Sequence, residues 1–183
     1  FPGREGTFVP KNPNLGIPEI DRLNNPFFRN RNFYSPSAYD KDWFRHNRTI
    51  DRFSCHHALS NVIHEGYAKS HPEYFSFSKE SGKRLLPGTD GRKAYQTQPC
   101  MTNPDVIRIA VEYAVNYFKT HPDEECVALG INDNTSFCQC PECEKVNEGS
   151  GLNDIQQKSY GKLAVHFYNA VAEGLTKVYP DKY

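Results

Sequence analysis

CVALGINDNTSFCQCPEC is the sequence of residues 126–143, and it joins an apolar run to a polar turn and a group of thiols. The run at 126–131 is unbroken, which is typical of a strand covered on both faces in a parallel sheet. Asn132 and Asp133 follow it, so we expect them at the carboxyl end of that strand. Three cysteines then occur within 138–143. The stretch therefore predicts a buried strand that delivers a carboxylate and a thiol cluster to one edge of a sheet.

Two amphipathic helices are predicted, one before and one after this stretch. Asn103 is a favourable N-cap and Pro104 fits the first helical position, and apolar residues then recur at helical spacing. The second helix is predicted to start from a cap at Asn153 or Asp154, with an apolar stripe that continues to about residue 178. A further strand is predicted at about 96–101.

The order strand, helix, strand, helix predicts parallel strands joined by right-handed helical crossovers. The predicted fold class is therefore α/β, and more specifically a segment of a (β/α)8 TIM barrel. Residues 1–36 carry six of the 13 prolines and show little periodicity. We expect them to form an extended linker or wrapping arm, followed at 37–183 by the N-terminal part of the barrel.

The composition excludes some classes of partner. The 183 residues include 22 Lys and Arg and 22 Asp and Glu, so the net charge is zero and no basic field attracts nucleic acid. No apolar run reaches the roughly 18 residues of a membrane span. The interaction partners expected from these features are neither nucleic acid nor a membrane.

The cysteines favour a metal site. The segment Cys140-Pro141-Glu142-Cys143 has the form of a metal knuckle, in which two thiolates bind one ion, and Cys138 is close enough in sequence to join it. Cys100, at the end of the preceding predicted strand, is the preferred fourth ligand, with His56 and His57 as alternatives. Disulfides, such as Cys138 or Cys143 with Cys100, remain open at this stage because spacing alone does not choose a pairing.

Several polar residues are candidates for binding or catalysis. Asp133 at a strand end suits a general acid, base or nucleophile, although a turn-forming role would explain it equally. His57 could bind a ligand or act as a structural hydrogen-bonding group. In His71-Pro72-Glu73, Glu73 could be a second carboxylate, or it could favour the start of a helix through the dipole.

A set of short motifs in one order resembles a known family. They are WFRHNR (43–48), His57, SHPEYF (70–75), GKR (82–84), QPCMTNPDV (98–106), GINDN (130–134) and FCQCPEC (137–143). Together they resemble the bacterial domain-of-unknown-function family 4838. Domains of that family are similar to the catalytic barrels of α-glucuronidase and β-hexosaminidase-type glycoside hydrolases.

This resemblance implies a barrel enzyme that hydrolyses glycosidic bonds in a carbohydrate, in a secreted or periplasmic system. The polar positions matched to the family are His57, His71, Glu73, Cys100, Asn132, Asp133 and the three loop cysteines. Among them we expect Asp133, at its strand end, to be the catalytic group, and His57, Asn132, His71 and Glu73 to bind substrate. The rest of the barrel would be a partner, and this part alone would be inactive. Cys100, Cys138, Cys140 and Cys143 would hold a structural zinc.

Two alternatives come from other classes. The first is a non-catalytic carbohydrate-binding or metal-stabilised module of a larger assembly. The second is a redox protein that uses Cys140 and Cys143, but this motif should open a helix, and the sequence predicts a loop rich in Gly, Asn and Ser after it. The charged residues at 79–84 are expected to form a solvated loop.

Overall fold

The structure, a computed structural model, describes residues 11–16, 18–21, 27–28, 31, 48, 57–89, 91–152 and 156–182. The chain divides into two compact units, Phe1–Phe53 and Ser54–Tyr183. Most of the predicted arm, together with Cys55 and His56, lies outside the described residues. The second unit contains all the elements that follow.

Four α-helices and one small hairpin are described in the second unit. The helices are α1 (Leu59–Val62), α2 (Pro104–Thr120), α3 (Pro141–Val146) and α4 (Gly161–Thr176). The strands are β1 (Phe77–Ser78) and β2 (Lys83–Arg84), and short 3-10 turns lie at Glu65–Tyr67, Pro72–Tyr74 and Ala94–Gln96. Within the described ranges, no helix is both long enough and apolar enough to cross a bilayer.

Helix α2 forms where the sequence predicted it. The Asn103 Oδ1 accepts hydrogen bonds from the backbone N–H groups of Asp105 (2.9 Å) and Val106 (3.3 Å), which satisfies two donors at the helix start. Pro104 occupies the first turn, where its missing N–H costs nothing. Helix α2 packs on α4, and its buried residues lie four positions apart on one face: Val106, Ala110, Ala114 and Phe118. The predicted helix and its cap are confirmed.

Helix α4 also forms, but its predicted start is wrong. The helix begins at Gly161, where the Ser159 Oγ accepts the N–H of Gly161 at 3.3 Å. Asn153 and Asp154 lie outside the described residues, and the segment 156–160 between them and the helix is not helical. The apolar stripe of α4 is buried as predicted, at Leu163, Phe167, Val171 and Leu175.

The predicted strands at 96–101 and 126–131 are not regular strands in the structure. Pro99 forms an isolated antiparallel bridge with Phe75, and Gly130 forms an isolated parallel bridge with His57. The two segments are instead joined through side chains. The Gln98 Nε2 donates to the Asn132 carbonyl at 2.6 Å, and the Asn132 N–H donates to the Gln98 Oε1 at 3.2 Å. In the described part of the chain, the one sheet with named strands is the antiparallel β1–β2 hairpin, so the barrel stays a prediction.

The apolar run 126–131 is half-buried rather than covered on both faces. Ile131 is 36% exposed, and the residues before it are only partly covered. The reason is an open cavity of about 400 Å³ between this run and α4, lined by Val127, Leu129 and Val171 among others. Leu129 is nevertheless held to α4, because its carbonyl accepts the Tyr168 hydroxyl at 2.8 Å.

Candidate metal centre

Four cysteine thiols converge in the core of the second unit. The Sγ atoms of Cys100, Cys138, Cys140 and Cys143 all lie within 4.8 Å of one another. Cys138 and Cys143 are fully buried, and Cys140, the most exposed of the four, is only 8% exposed. We call this group the four-cysteine cluster. It is the set that the sequence predicted as metal ligands.

The 97–100 segment supplies the first thiol of the cluster. The Cys100 N–H donates to the Tyr74 carbonyl at 2.7 Å, next to the bridge between Phe75 and Pro99. The Cys100 carbonyl then accepts the N–H of Asn103, the cap of α2. Cys100 is therefore fixed between an extended segment and the start of a long helix.

The 138–143 segment supplies the other three thiols. Cys140 is the N-cap residue of α3 and Cys143 lies in its first turn, so the two side chains share one face of the helix. Cys138 is aligned by the Gln139 N–H, which donates to the Phe77 carbonyl at 2.8 Å. The expectation of a loop directly after these cysteines is therefore wrong, because Pro141 starts a helix there.

The sulfur–sulfur distances fit a tetrahedral ion site. Cys100 Sγ lies 3.6 Å from Cys138 Sγ and 3.8 Å from the sulfurs of both Cys140 and Cys143. Four thiolates about 2.3 Å from a central ion at tetrahedral angles are separated by about 3.8 Å. A disulfide would need about 2.05 Å, and all four residues are free cysteines. The cluster could therefore hold one metal ion.

Hydrogen bonds among the thiols shift the pKa values of three cysteines of the cluster in different directions. Hydrogen bonds from the thiols of Cys138 and Cys143 lower the pKa of the Cys100 thiol far below its usual range. Hydrogen bonding to Cys100 raises the pKa of Cys138 to about 12 and raises the pKa of Cys143 well above its usual range. The hydrogen bonds within the cluster therefore favour a thiolate at Cys100 over the other positions. A bound cation would favour the thiolate form of all four residues.

Three outer groups make hydrogen bonds to the sulfurs. The Phe77 N–H donates to Cys138 Sγ at 3.3 Å, and the Arg84 guanidinium lies 3.6 Å from the same sulfur. The Thr102 hydroxyl lies 3.1 Å from Cys143 Sγ. Sequence reasoning missed all three. For Arg84 the expectation of a solvated loop at 79–84 is wrong, because the guanidinium turns inward to the cluster.

Asp133 and His57 lie together on the surface. The His57 Nε2 is 3.9 Å from the Asp133 Oδ2, and the His57 Nδ1 hydrogen-bonds the Ile131 carbonyl at 3.0 Å. The Asp133 side chain is 86% exposed and that of His57 is 51% exposed. The structure therefore joins these two predicted residues at an open edge.

Asn132 is directed the other way, into the protein. It is 2% exposed. Its Nδ2 donates to the Thr97 carbonyl at 2.6 Å, and its Oδ1 accepts the Ser60 N–H at 3.1 Å. Both polar ends of this side chain are therefore used to hold neighbouring segments together.

His71 and Glu73 form a separate pair. The His71 Nδ1 lies 3.0 Å from the Glu73 Oε1, and the His71 ring stacks on Tyr74 at 4.6 Å between centroids. A backbone hydrogen bond, together with His71, lowers the pKa of Glu73. Glu73 lies at the start of the short 3-10 helix Pro72–Tyr74, which agrees with the alternative prediction that it favours a helix start. Within the described residues, no hydrogen bond or ion pair joins this pair to Asp133.

Comparison with known proteins gives one assignment. Neither the curated proteins nor the solved structures contain a significant match to this chain. A family profile does match, and it covers residues 1–183, the region that holds both the four-cysteine cluster and the exposed edge with Asp133. The chain belongs to the family described as Domain of unknown function (DUF4838).

Proposed function

We propose that this region is a zinc-stabilised module, in which the four-cysteine cluster binds one structural zinc ion. The observation that carries the proposal is the buried set of four sulfurs within 4.8 Å of one another, in which the three distances from Cys100 match the edges of a zinc tetrathiolate. The protein supplies all four ligands, so no coordination position is left for water or substrate. That arrangement is typical of structural rather than catalytic zinc.

The role of the ion would be to join two distant parts of the chain. Cys100 precedes α2, whereas the other three ligands lie around the start of α3. The cluster packs among the apolar side chains of the main core, including Met101 and Phe167. A metal bond at this point would therefore add to the apolar contacts that link the two segments.

Zinc is the preferred ion because of the donor set. Four thiolates are soft ligands, and a tetrahedral S4 geometry suits zinc or iron–sulfur chemistry rather than magnesium or calcium. Zinc has no geometric preference of its own and accepts the tetrahedron that these residues form.

Metal analysis of the purified protein tests this proposal. We expect about one zinc per chain, and we expect Co²⁺ substitution to give the intense visible absorption of a tetrahedral thiolate complex. Cys143→Ser should lose the ion. Cys126→Ser should keep it, because the Cys126 thiol lies outside the cluster. Protein that is isolated metal-free with disulfides among these four cysteines would refute the proposal.

We further propose that the full-length protein acts on carbohydrate as a secreted or periplasmic glycoside hydrolase. One expectation from the sequence and one structural observation support this. The expectation is the resemblance to glycosidase barrels that the motifs suggest. The observation is that His57 and Asp133 lie together at an exposed edge beside the parallel bridge at Gly130. Glycosidases use a pair of carboxylates. Asp133 is the candidate for one of them.

Replacement of Asp133 in the full-length protein tests this second proposal. Asp133→Asn is nearly isosteric, so the fold should persist while glycosidase activity falls by about 10²–10⁴-fold. Asp123→Asn, at another exposed aspartate, is the matched control and should keep full activity. Parental turnover by the Asp133→Asn enzyme would show that Asp133 only shapes the turn.

A further inference from the structure

The β1–β2 hairpin lies against one thiol of the four-cysteine cluster. Phe77 and Arg84 are direct partners in the hairpin register, and both act on Cys138. The N–H of Phe77 donates to its sulfur at 3.3 Å, and the Arg84 guanidinium reaches the same sulfur at 3.6 Å. A pair of facing residues therefore delivers two donors to one sulfur atom.

Arg84 is held in place by contacts other than the sulfur. Its Nη1 donates to the carbonyl of Phe75 at 2.7 Å, and its Cζ lies 5.6 Å from the centroid of the Phe77 ring. These contacts orient a planar, permanently charged group. Its position is therefore set by the hairpin and does not depend on a flexible surface contact.

The environment of Arg84 requires a negative partner. The residue is half-buried, and a charge removed from water is costly unless it is paired. Among the described residues, no carboxylate forms an ion pair with Arg84. The Glu73 carboxylate interacts with the guanidinium only at longer range, whereas the Cys138 sulfur lies 3.6 Å from it. In a metal-loaded centre the Cys138 thiolate would therefore be the nearest counter-charge of Arg84.

The loaded centre needs such a cation. Four thiolates around a divalent ion keep an excess of negative charge in the core, where charge is poorly solvated. A thiolate that carries excess charge is a good nucleophile and a good target for oxidants. A guanidinium and an N–H group directed at its lone pairs withdraw that electron density.

We propose that Arg84 is the charge partner of the zinc tetrathiolate. Its positive charge strengthens zinc binding by the cysteines and lowers the reactivity of Cys138 towards electrophiles. This inference rests on the proposed zinc site. Groups outside the first ligand shell typically change metal affinity by about 10–100-fold when mutated. We expect loss of the Arg84 charge to have an effect in this range.

The test compares Arg84→Gln with Arg84→Lys in the zinc-loaded protein. Gln can still donate to the Phe75 carbonyl but carries no charge, whereas Lys keeps the charge without the planar fork. Lys83→Gln, at an exposed residue of the same strand, is the matched control. Zinc affinity is measured by competition with a chromophoric chelator. Alkylation by iodoacetamide, in which a thiolate sulfur displaces iodide, is followed at each cysteine by mass spectrometry.

We expect Arg84→Gln to weaken zinc binding by about 10–100-fold and to speed alkylation at Cys138 more than at Cys140. Arg84→Lys should recover most of both properties, and Lys83→Gln should match the wild type. Wild-type affinity and alkylation rates in Arg84→Gln would overturn the proposal. If Arg84→Gln does not fold, Arg84→Lys decides, since loss of zinc from a folded Lys variant also overturns it. A wild-type protein without zinc refutes the metal site itself, which is a separate outcome.

Discussion

Replacement of Cys100 by serine should separate the two halves of the metal centre. Cys100 is the one ligand before α2, and its nearest partner, Cys138, lies 38 positions later in the sequence. The other three ligands lie within 138–143 and would stay together without it. The substitution therefore removes the cross-link while it leaves a local thiol group intact.

The cost can be worked from the length of chain that the metal closes. A cross-link between positions separated by about 39 residues removes about 4 kcal/mol of chain entropy from the unfolded state, by the same relation that describes disulfides. A loss of that size should lower the unfolding midpoint by about 8–16 °C in a chain of this length. A buried hydroxyl in place of the sulfur adds to the loss.

Thermal and urea unfolding of zinc-loaded protein in reducing buffer measures this effect. The wild type should lose a similar free energy of unfolding when a strong chelator is added, and Cys100→Ser should be insensitive to chelator. Cys126→Ser is the control, and its response to chelator should equal that of the wild type. If chelator removes zinc from the wild type and the midpoint stays unchanged, the metal does not cross-link the fold.

Three further predictions concern packing, polar contacts and ionisation. Gly174→Ala should destabilise the protein by about 1–2 kcal/mol in urea unfolding, because the added Cβ would lie 2.5 Å from a Val111 methyl. This clash should outweigh the higher helix propensity of Ala. Val111→Ala in the same chain should restore the stability. Asn132→Ala should cost about 1–3 kcal/mol in the same assay, since it leaves the Ser60 N–H without its partner and removes the shorter of two hydrogen bonds to the Thr97 carbonyl. Zinc binding at neutral pH should release protons, because zinc-bound sulfur is a thiolate. Titration calorimetry in buffers of different ionisation enthalpy would detect these protons. A binding enthalpy that is the same in every buffer would contradict thiolate ligation.

The sequence predicted those features that depend on local chemistry. The start of α2 follows from Asn103 and Pro104. The Asn103 side chain accepts backbone N–H groups of the first turn, and Pro104 has no N–H that would need an acceptor. The ligand set was predictable because Cys140 and Cys143 have knuckle spacing. Cys100 was chosen as the fourth ligand because the predicted strand that ends at it neighbours the predicted strand that leads to the other three cysteines.

Features that depend on distant contacts could not be predicted in this way. The hairpin strands are two residues each, too short to give a periodic pattern, so Arg84 resembled any charged loop residue. The run 126–131 has the composition of a fully covered strand, but coverage depends on what packs beside it. Asn132 resembled an edge residue by position, and only its partners at Thr97 and Ser60 show that it faces inward.

The metal centre and the exposed edge share one structural segment, and this links the two proposed functions. Gln98 lies two positions before Cys100 and is fully buried, and it holds the backbone of Asn132 through both ends of its amide. Asp133 follows Asn132 directly. An ion that fixed Cys100 would also limit the movement of Gln98, and through it the backbone that carries the exposed Asp133 side chain. Because catalytic groups must be held within a fraction of an ångström of their working geometry, a structural zinc ion at the cluster would support the activity that we propose for that edge.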